Sequence, residues 1–393
     1  MQSNKLWTKQ FISVSLINFL LTLVFYLLMV TIATFAINHY QASMSQSGLV
    51  SGIFIIGGVI GRLFAGYFIN KFGLKRLLLV TIIICLAIIS SYFININVQF
   101  LILIRLLHGI PHGMALTIIS SIATQIIPES RKSEGISYYS MSTTLATAFG
   151  PFLGILMIHY ISFSILFSFC FAIMFIALIM SIFVKAPKVT EIKTASVNLE
   201  KGTSFLKNII EPRVIPVGLI ILLLSFAYSG VLTYLNLYAS QLKLTSVASL
   251  FFVVYAIVVL LTRPVAGKLM DNKGNHVVVY PAIIFYAISM FMLSQVTSGF
   301  ILLLISAIMG LGFGNLQSAT QVLAVKSAPT SRISIATSTY FIFFDAGLGL
   351  SPYLLGYVTP LTGYGNMYAI MGVIIIITGF LYFCLIGNRK LSS

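Results

Sequence analysis

The sequence predicts an all-α membrane protein: twelve transmembrane helices in two six-helix repeats. Composition, run length and an internal repeat carry that expectation. Of 393 residues, 59% are hydrophobic and 8% charged, a balance outside the range of water-soluble domains. Apolar runs long enough to cross a bilayer, about twenty residues each, recur along the whole chain. The stretch Arg62–Arg76, RLFAGYFINKFGLKR, returns 201 positions later from Arg263 as RPVAGKLMDNKGN. The same ungapped offset places Gly109 on Gly310, Gly113 on Gly314, Pro128 on Pro329, Arg131 on Arg332 and Pro151 on Pro352. A repeat of that length implies two copies of one multi-span unit.

Taken in order, the runs are 11–37, 47–70, 77–95, 99–126, 136–159, 162–184, 213–239, 245–270, 278–296, 299–325, 333–358 and 365–387. Each must satisfy its own backbone in hydrocarbon, which makes helices of them, and their unbroken apolarity excludes alternating barrel strands. The first run exceeds a signal-peptide core and lacks a small-residue cleavage pattern, so it is expected to stay as the first span. Residues 1–184 are expected to form one six-helix bundle, 185–212 a cytoplasmic linker and 213–393 the second bundle.

With the N-terminus inside, nineteen Lys and Arg residues of loops and linker fall on one side and Lys243 alone on the other. That asymmetry puts both termini in the cytoplasm, and the expected setting is a bacterial cytoplasmic membrane. The formal charge of +16 is scattered through short loops, which excludes a nucleic-acid-binding domain. Cys85, Cys170 and Cys384 lie in separate runs and read as packing residues, not a disulfide framework.

Polar residues at helical spacing inside a span imply a wet face or an interhelical contact. Span 1 carries Ser15, Asn18, Thr22 and Tyr26; span 4 carries Arg105, His108 and His112; span 7 carries Ser225, Ser229, Thr233 and Asn236; span 10 carries Asn315, Gln317, Ser318 and Gln321. Four such stripes suit a water-filled central cavity, and equally hydrogen-bonded glue in a packed bundle. Tyr228, Tyr340 and Phe341, with Tyr26, offer rings to a planar or apolar solute or to packing. Asp345 is the one carboxylate deep in a span, where an ionised form costs about 2.5–3.5 kcal/mol without water, a partner or a proton. Proton coupling, recognition of a cationic solute and a structural pair are its three readings. Arg105 likewise reads as functional or as bonded to backbone carbonyls. Two histidines four apart, with no third ligand nearby, make a poor metal site. Pro111 should kink span 4, while Gly150, Pro151 and Gly154 in span 5 and Gly347, Gly349 and Pro352 in span 11 permit close packing and bending.

The loop after span 2, with Gly66, Asn70, Lys71, Gly73, Lys75 and Arg76, resembles the signature of the major facilitator superfamily, with Asn70 where the family has Asp. Its second copy, with Arg263, Gly267, Asp271 and Gly274, keeps the acid and has Asn272 in place of the base. Span 4 resembles the family's arginine motif through Arg105, His108, Gly109 and Gly113, and span 5 resembles the antiporter motif through Gly150, Pro151 and Gly154. The resemblance covers essentially the whole chain and is nearest to the twelve-span drug:proton antiporters. It implies a monomeric, non-enzymatic secondary transporter in the lipid bilayer, without cofactor or metal, that exports a small organic or amphiphilic solute or drug in exchange for protons. Asp345 and Arg105 are then the expected proton-coupling residues. The two signature loops, including Arg62, and the residues Gly150, Pro151, Gly154 and Pro352 are the expected gating elements. An uptake or facilitated-diffusion carrier for a small anionic metabolite, and a non-transporting receptor, are the rival readings. The absence of a GxxxxGK[ST] stretch excludes a nucleotide-driven pump of that type.

Overall fold

The computed structural model describes residues 5–94, 96–128, 131–186, 210–329 and 332–387. Most of the expected linker and the side chains of Asn70 and Asp271 lie outside the described residues. The rest is helical: α1 Lys9–Tyr40, α2 Met44–Phe72, α3 Leu74–Ser91, α4 Val98–Ile126, α5 Lys132–Tyr160 and α6 Phe163–Phe183. There follow α7 Ile215–Gln241, α8 Thr245–Lys273, α9 His276–Ser294 and α10, which runs over Gly299–Lys326. The final helical stretch, Ile335–Gly387, is 53 residues long, too long for one span. Gly363 divides it with φ 76° and ψ 166°, a conformation open to glycine and closed to side-chain-bearing residues. The two parts are α11 (333–362) and α12 (364–387), which makes twelve helices of spanning length among the described residues.

Local chemistry sets many of the ends. Thr8, Asn97, Ser162 and Ser298 each place a side-chain oxygen on the backbone N–H three residues on, capping α1, α4, α6 and α10. The repeat is visible in backbone geometry. Gly73 ends α2 with φ 77° and ψ 158°, and Gly274, 201 positions later, ends α8 with φ 85° and ψ 164°.

The chain forms two compact units. One comprises Met1–Ala42 with Ile53–Ser196; the other comprises Ser43–Gly52 with Val197–Ser393. Within the first, α1 packs chiefly on α5 and α3 on α4 and α6. Within the second, α7 packs on α11, the equivalent pair, and α8 on α10. The opening turns of α2 therefore belong to the second unit. There the Tyr234 hydroxyl donates to the carbonyls of Pro352 (2.5 Å) and Met44 (3.4 Å). Gly48 and Gly52 lie so close to the backbone of Pro352 and Gly349 that a Cβ on either would collide with it.

The remainder of α2 meets α4 through glycines. A Cβ on Gly57 would strike the Leu106 carbonyl, one on Gly61 that of Ile110, and one on Gly109 that of Phe54. Without a hydrophobic driving force between helices in lipid, such backbone contact supplies the dispersion energy that holds the pair. α4 continues unbroken through Pro111. Its counterpart α10 instead contains a π-turn, Gly310–Gly314, centred on Gly312, the position equivalent to Pro111. The turn seats Phe313 between Tyr228 and Tyr286, with ring centroids at 4.2 Å and 5.3 Å.

Gly109→Ala should destabilise the protein by about 1–3 kcal/mol in denaturing-detergent titrations, the usual cost of overpacking. Gly66→Ala, at a position with nothing within 4 Å, should leave stability unchanged or raise it. Equal effects of the two would contradict a glycine-mediated α2–α4 contact.

Candidate functional site

In the first unit the polar stripe of α4 is buried against α1, α2 and the end of α3. Arg105, His108 and His112 are 0%, 1% and 3% exposed. Spacings of three and four residues put all three on one helical face. Phe54 of α2 is the surface they share. The Arg105 guanidinium lies 4.3 Å from its ring centroid, a cation–π distance, and the two imidazoles each lie 5.1 Å from it. Phe25 of α1 flanks His112 at 6.0 Å. Tyr92, just beyond α3 and 2% exposed, completes the cluster. Its hydroxyl lies 2.9 Å from His108 Nδ1 and 3.5 Å from Arg105 Nη1. The spans of this unit carry no Asp or Glu apart from Glu134 in the first turn of α5, so the cluster is electropositive.

Asn18 is engaged with α5. Its amide donates to Ser142 Oγ (2.8 Å) and Thr143 Oγ1 (2.9 Å), and its carbonyl accepts from the Tyr139 hydroxyl (2.9 Å). Thr22 is buried and Tyr26 half-buried on the same helix. Gly150 and Gly154 seat α5 against the α1 backbone at Leu23 and Leu27, and Pro151 is buried between them.

The loop between α2 and α3 contains a feature that its charges alone did not foretell. Lys75 reaches the end of α6 and donates to the carbonyls of Ser181, Ile182 (2.6 Å) and Val184 (2.7 Å). An ammonium has three donors, and here each meets a carbonyl at the negative end of a helix. Lys71 and Arg76 are exposed and Arg62 is half-buried. Lys71 sits 5.5 Å from the Phe72 ring centroid. Arg76 stands at the rim of a cavity of about 680 Å³ lined by apolar side chains of α2, α3 and α4, among them Phe68, Val80, Ile84 and Leu107. Apart from Arg76 and Thr81, the lining of that cavity is apolar.

In the second unit Asp345 is 6% exposed on α11. The backbone beside it is tied to α7: Ser225 donates to the Phe344 carbonyl (2.9 Å) and Ser229 to that of Leu348 (2.6 Å). Asn315 donates to Thr262 Oγ1 (3.1 Å) and the Leu311 carbonyl (3.0 Å), and Arg263 donates to Gln317 Oε1 (3.5 Å). The Tyr340 hydroxyl donates to the Gln317 carbonyl (2.7 Å) beside the ring of Phe341, 5.3 Å away. Tyr228, Thr233 and Asn236 are buried and Gln321 is half-buried. Gly267, like its counterpart Gly66, has nothing within 4 Å of a Cβ position. Glu211, where α7 begins, pairs with Arg332 at 2.6 Å.

Phe54 and Tyr92 escaped the sequence reading. Phe54 looks like any apolar span residue, and Tyr92 precedes Arg105 by thirteen positions across a loop. The one available signal was a polar-tipped ring at a span end next to a span containing arginine.

The sequence model of the Major Facilitator Superfamily matches residues 14–352 and 246–392. The chain belongs to that superfamily. An uncharacterised superfamily transporter of Methanocaldococcus jannaschii is 24% identical over 342 residues, covering 86% of this chain and 88% of its own length. The staphylopine export protein of Staphylococcus aureus is 23% identical over 352 residues, with 86% of each chain covered. Among solved structures, a nucleoside transporter superposes with a TM-score of 0.81 at 12% identity, covering 96% of this chain and all of its own, which is a likeness of fold. The chain is therefore a multi-pass membrane transporter of the superfamily and not an enzyme.

Lys75→Met should loosen the end of α6. The expected result is faster amide exchange over 180–184 and a loss of about 1–2 kcal/mol in stability, with Lys75→Arg intermediate. Unchanged exchange there would show that the ammonium adds nothing to the α6 terminus.

Proposed function

We propose that the protein is a proton-coupled antiporter that exports a small organic or amphiphilic solute by alternating access. The observation that carries this reading is Asp345, a carboxylate withdrawn from lipid within a span at 6% exposure. A carboxylate so placed can bind and release a proton as its surroundings alternate between wet and dry, which is the requirement of a coupling residue. Arg105 is the second proposed coupling residue, its fixed charge setting the field in which protons and solute compete. Export is supported by the likeness to the staphylopine export protein of Staphylococcus aureus and by the glycine–proline pattern of α5. The solute-facing residues of this proposal are Thr22, Tyr26, His108, His112, Tyr228, Thr233, Asn236, Asn315, Gln317, Gln321, Tyr340 and Phe341, with Asn18 holding α1 to α5 at their edge. The glycines and charged residues of the two signature loops, with Gly150, Pro151, Gly154 and Pro352, set which side opens. The proposed setting is a monomer in the bacterial cytoplasmic membrane, and the charge asymmetry supports placing both termini inside.

The test uses everted membrane vesicles energised to an acid interior and challenged with 1-naphthoate, ethidium and glucose while the proton gradient is followed by dye quenching. Vesicles containing the protein should lose part of the gradient on addition of an accepted solute. Asp345→Asn vesicles should show no solute-dependent loss while still exchanging that solute across the membrane. A gradient drained equally by the Asn variant would remove Asp345 from coupling.

A further inference from the structure

The hydrogen bonds around His108 have only one consistent direction. A guanidinium has donors and no acceptor, so Arg105 Nη1 donates to the Tyr92 oxygen. Tyr92 is buried, and His108 Nδ1, at 2.9 Å, is the acceptor within reach of its proton. A hydrogen on Nδ1 instead would leave the phenol proton without an acceptor in a buried place, which costs more than the alternative tautomer. Tyr92 therefore donates to Nδ1, and the ring proton of His108 sits on Nε2. That N–H is buried and has no hydrogen-bond partner in the protein, and neither ring nitrogen of His112, one turn further along α4, has one either. Three polar atoms of two side chains, each at least nine-tenths buried, are thus left unsatisfied beside a permanent positive charge.

A donor relay that starts at a cation and ends in a free N–H is matched by an oxyanion. The rings of Phe25 and Phe54, which flank the imidazoles, are matched by an apolar body. We infer that this cluster is a binding site for the oxyanion group of an amphiphilic organic acid, with His108 Nε2–H as the direct donor, Arg105 as the countercharge and Tyr92 as the positioning residue that fixes the tautomer. The inference rests on the transporter reading and narrows its cargo class to acids. A carboxylate and a phosphonate both present the required acceptor oxygens; an amide of the same shape lacks the charge.

The experiment measures binding to the full-length protein in lipid nanodiscs by thermal stabilisation, with 1-naphthoate, 1-naphthylphosphonate and 1-naphthamide as probes. One or both anions should stabilise the protein and the amide should not. The carboxylate and phosphonate arms tell which oxyanion is preferred. His108→Leu should weaken anion binding about tenfold, the loss of one charge-assisted hydrogen bond. His108→Gln, which keeps an N–H donor, should recover most of it. Tyr92→Phe leaves the imidazole in place but frees its tautomer, and should weaken binding about threefold. The ligand-free melting temperature of each variant reports folding, and the Tyr92 arm decides the matter if His108→Leu does not fold. Stabilisation by the amide equal to that by the acids, no stabilisation by either acid, or anion binding indifferent to both His108→Leu and Tyr92→Phe would overturn the site. Binding needs no gradient, so the exporter reading is judged separately in vesicles. A protein that binds acids and moves no solute keeps the site and loses the exporter.

Discussion

Hydrocarbon offers no hydrogen-bond partner, and this constraint orders everything else in the molecule. Each polar atom in a span must be satisfied by the protein or remain costly, at about 1–3 kcal/mol for an orphaned buried group. The chain meets the constraint mostly by local means. Thr31, Thr81, Thr320 and Thr378 return their hydroxyls to carbonyls four residues back. Several hydroxyls and amides that reach across helices bind the pairs that the repeat makes equivalent. Asn18 joins α1 to α5, while Ser225, Ser229 and Ser351 join α7 to α11. Bonds of this kind contribute about 0.6 kcal/mol each on average, so their effect is to fix register more than to supply stability.

Against that economy the exceptions stand out. Among the described residues, His108 Nε2, both nitrogens of His112, Thr233 Oγ1 and Asn315 Oδ1, in the stripes on α4, α7 and α10, are buried without a partner, as are Ser15 Oγ on α1 and Asn275 Oδ1 before α9. Apolar residues of similar volume would fill the places of these polar groups without that cost. Their retention fits groups that are satisfied only when a solute or water is bound. In the first unit the leftover atoms stand beside a fixed cation; in the second they stand on helices neighbouring the one that carries Asp345. The proposed acid site and the carboxylate of Asp345 lie on different helices, and Arg105 is the residue common to the proposed acid binding and coupling.

The fold was legible because its determinants are local or strictly periodic. Span length, charge asymmetry and a 201-residue offset are all properties of sequence position, and the matched positive φ of Gly73 and Gly274 follows from that offset. The candidate site was half legible. Helical spacing placed Arg105, His108 and His112 on one face, but periodicity defines a face without saying what it meets. Asn18 illustrates the limit: it shares the spacing of a cavity stripe, yet its amide is spent on three α5 side chains. Phe54, Tyr92 and the Lys75–α6 contact depend on partners distant in sequence, which no single-segment pattern encodes. The π-turn in α10 was hidden for a related reason, since three alternating glycines permit it and the seat of Phe313 between two tyrosines accompanies it.

The tautomer of His108 is the most direct measure of whether these leftover donors are arranged as described. Ring nitrogens labelled with ¹⁵N, in full-length protein reconstituted in nanodiscs, distinguish protonated from bare nitrogen by chemical shift. The account predicts one fixed neutral form with the hydrogen on Nε2 and Nδ1 accepting, and loss of that preference in Tyr92→Phe. A hydrogen on Nδ1, or a ring exchanging freely between forms in the unaltered protein, would contradict it.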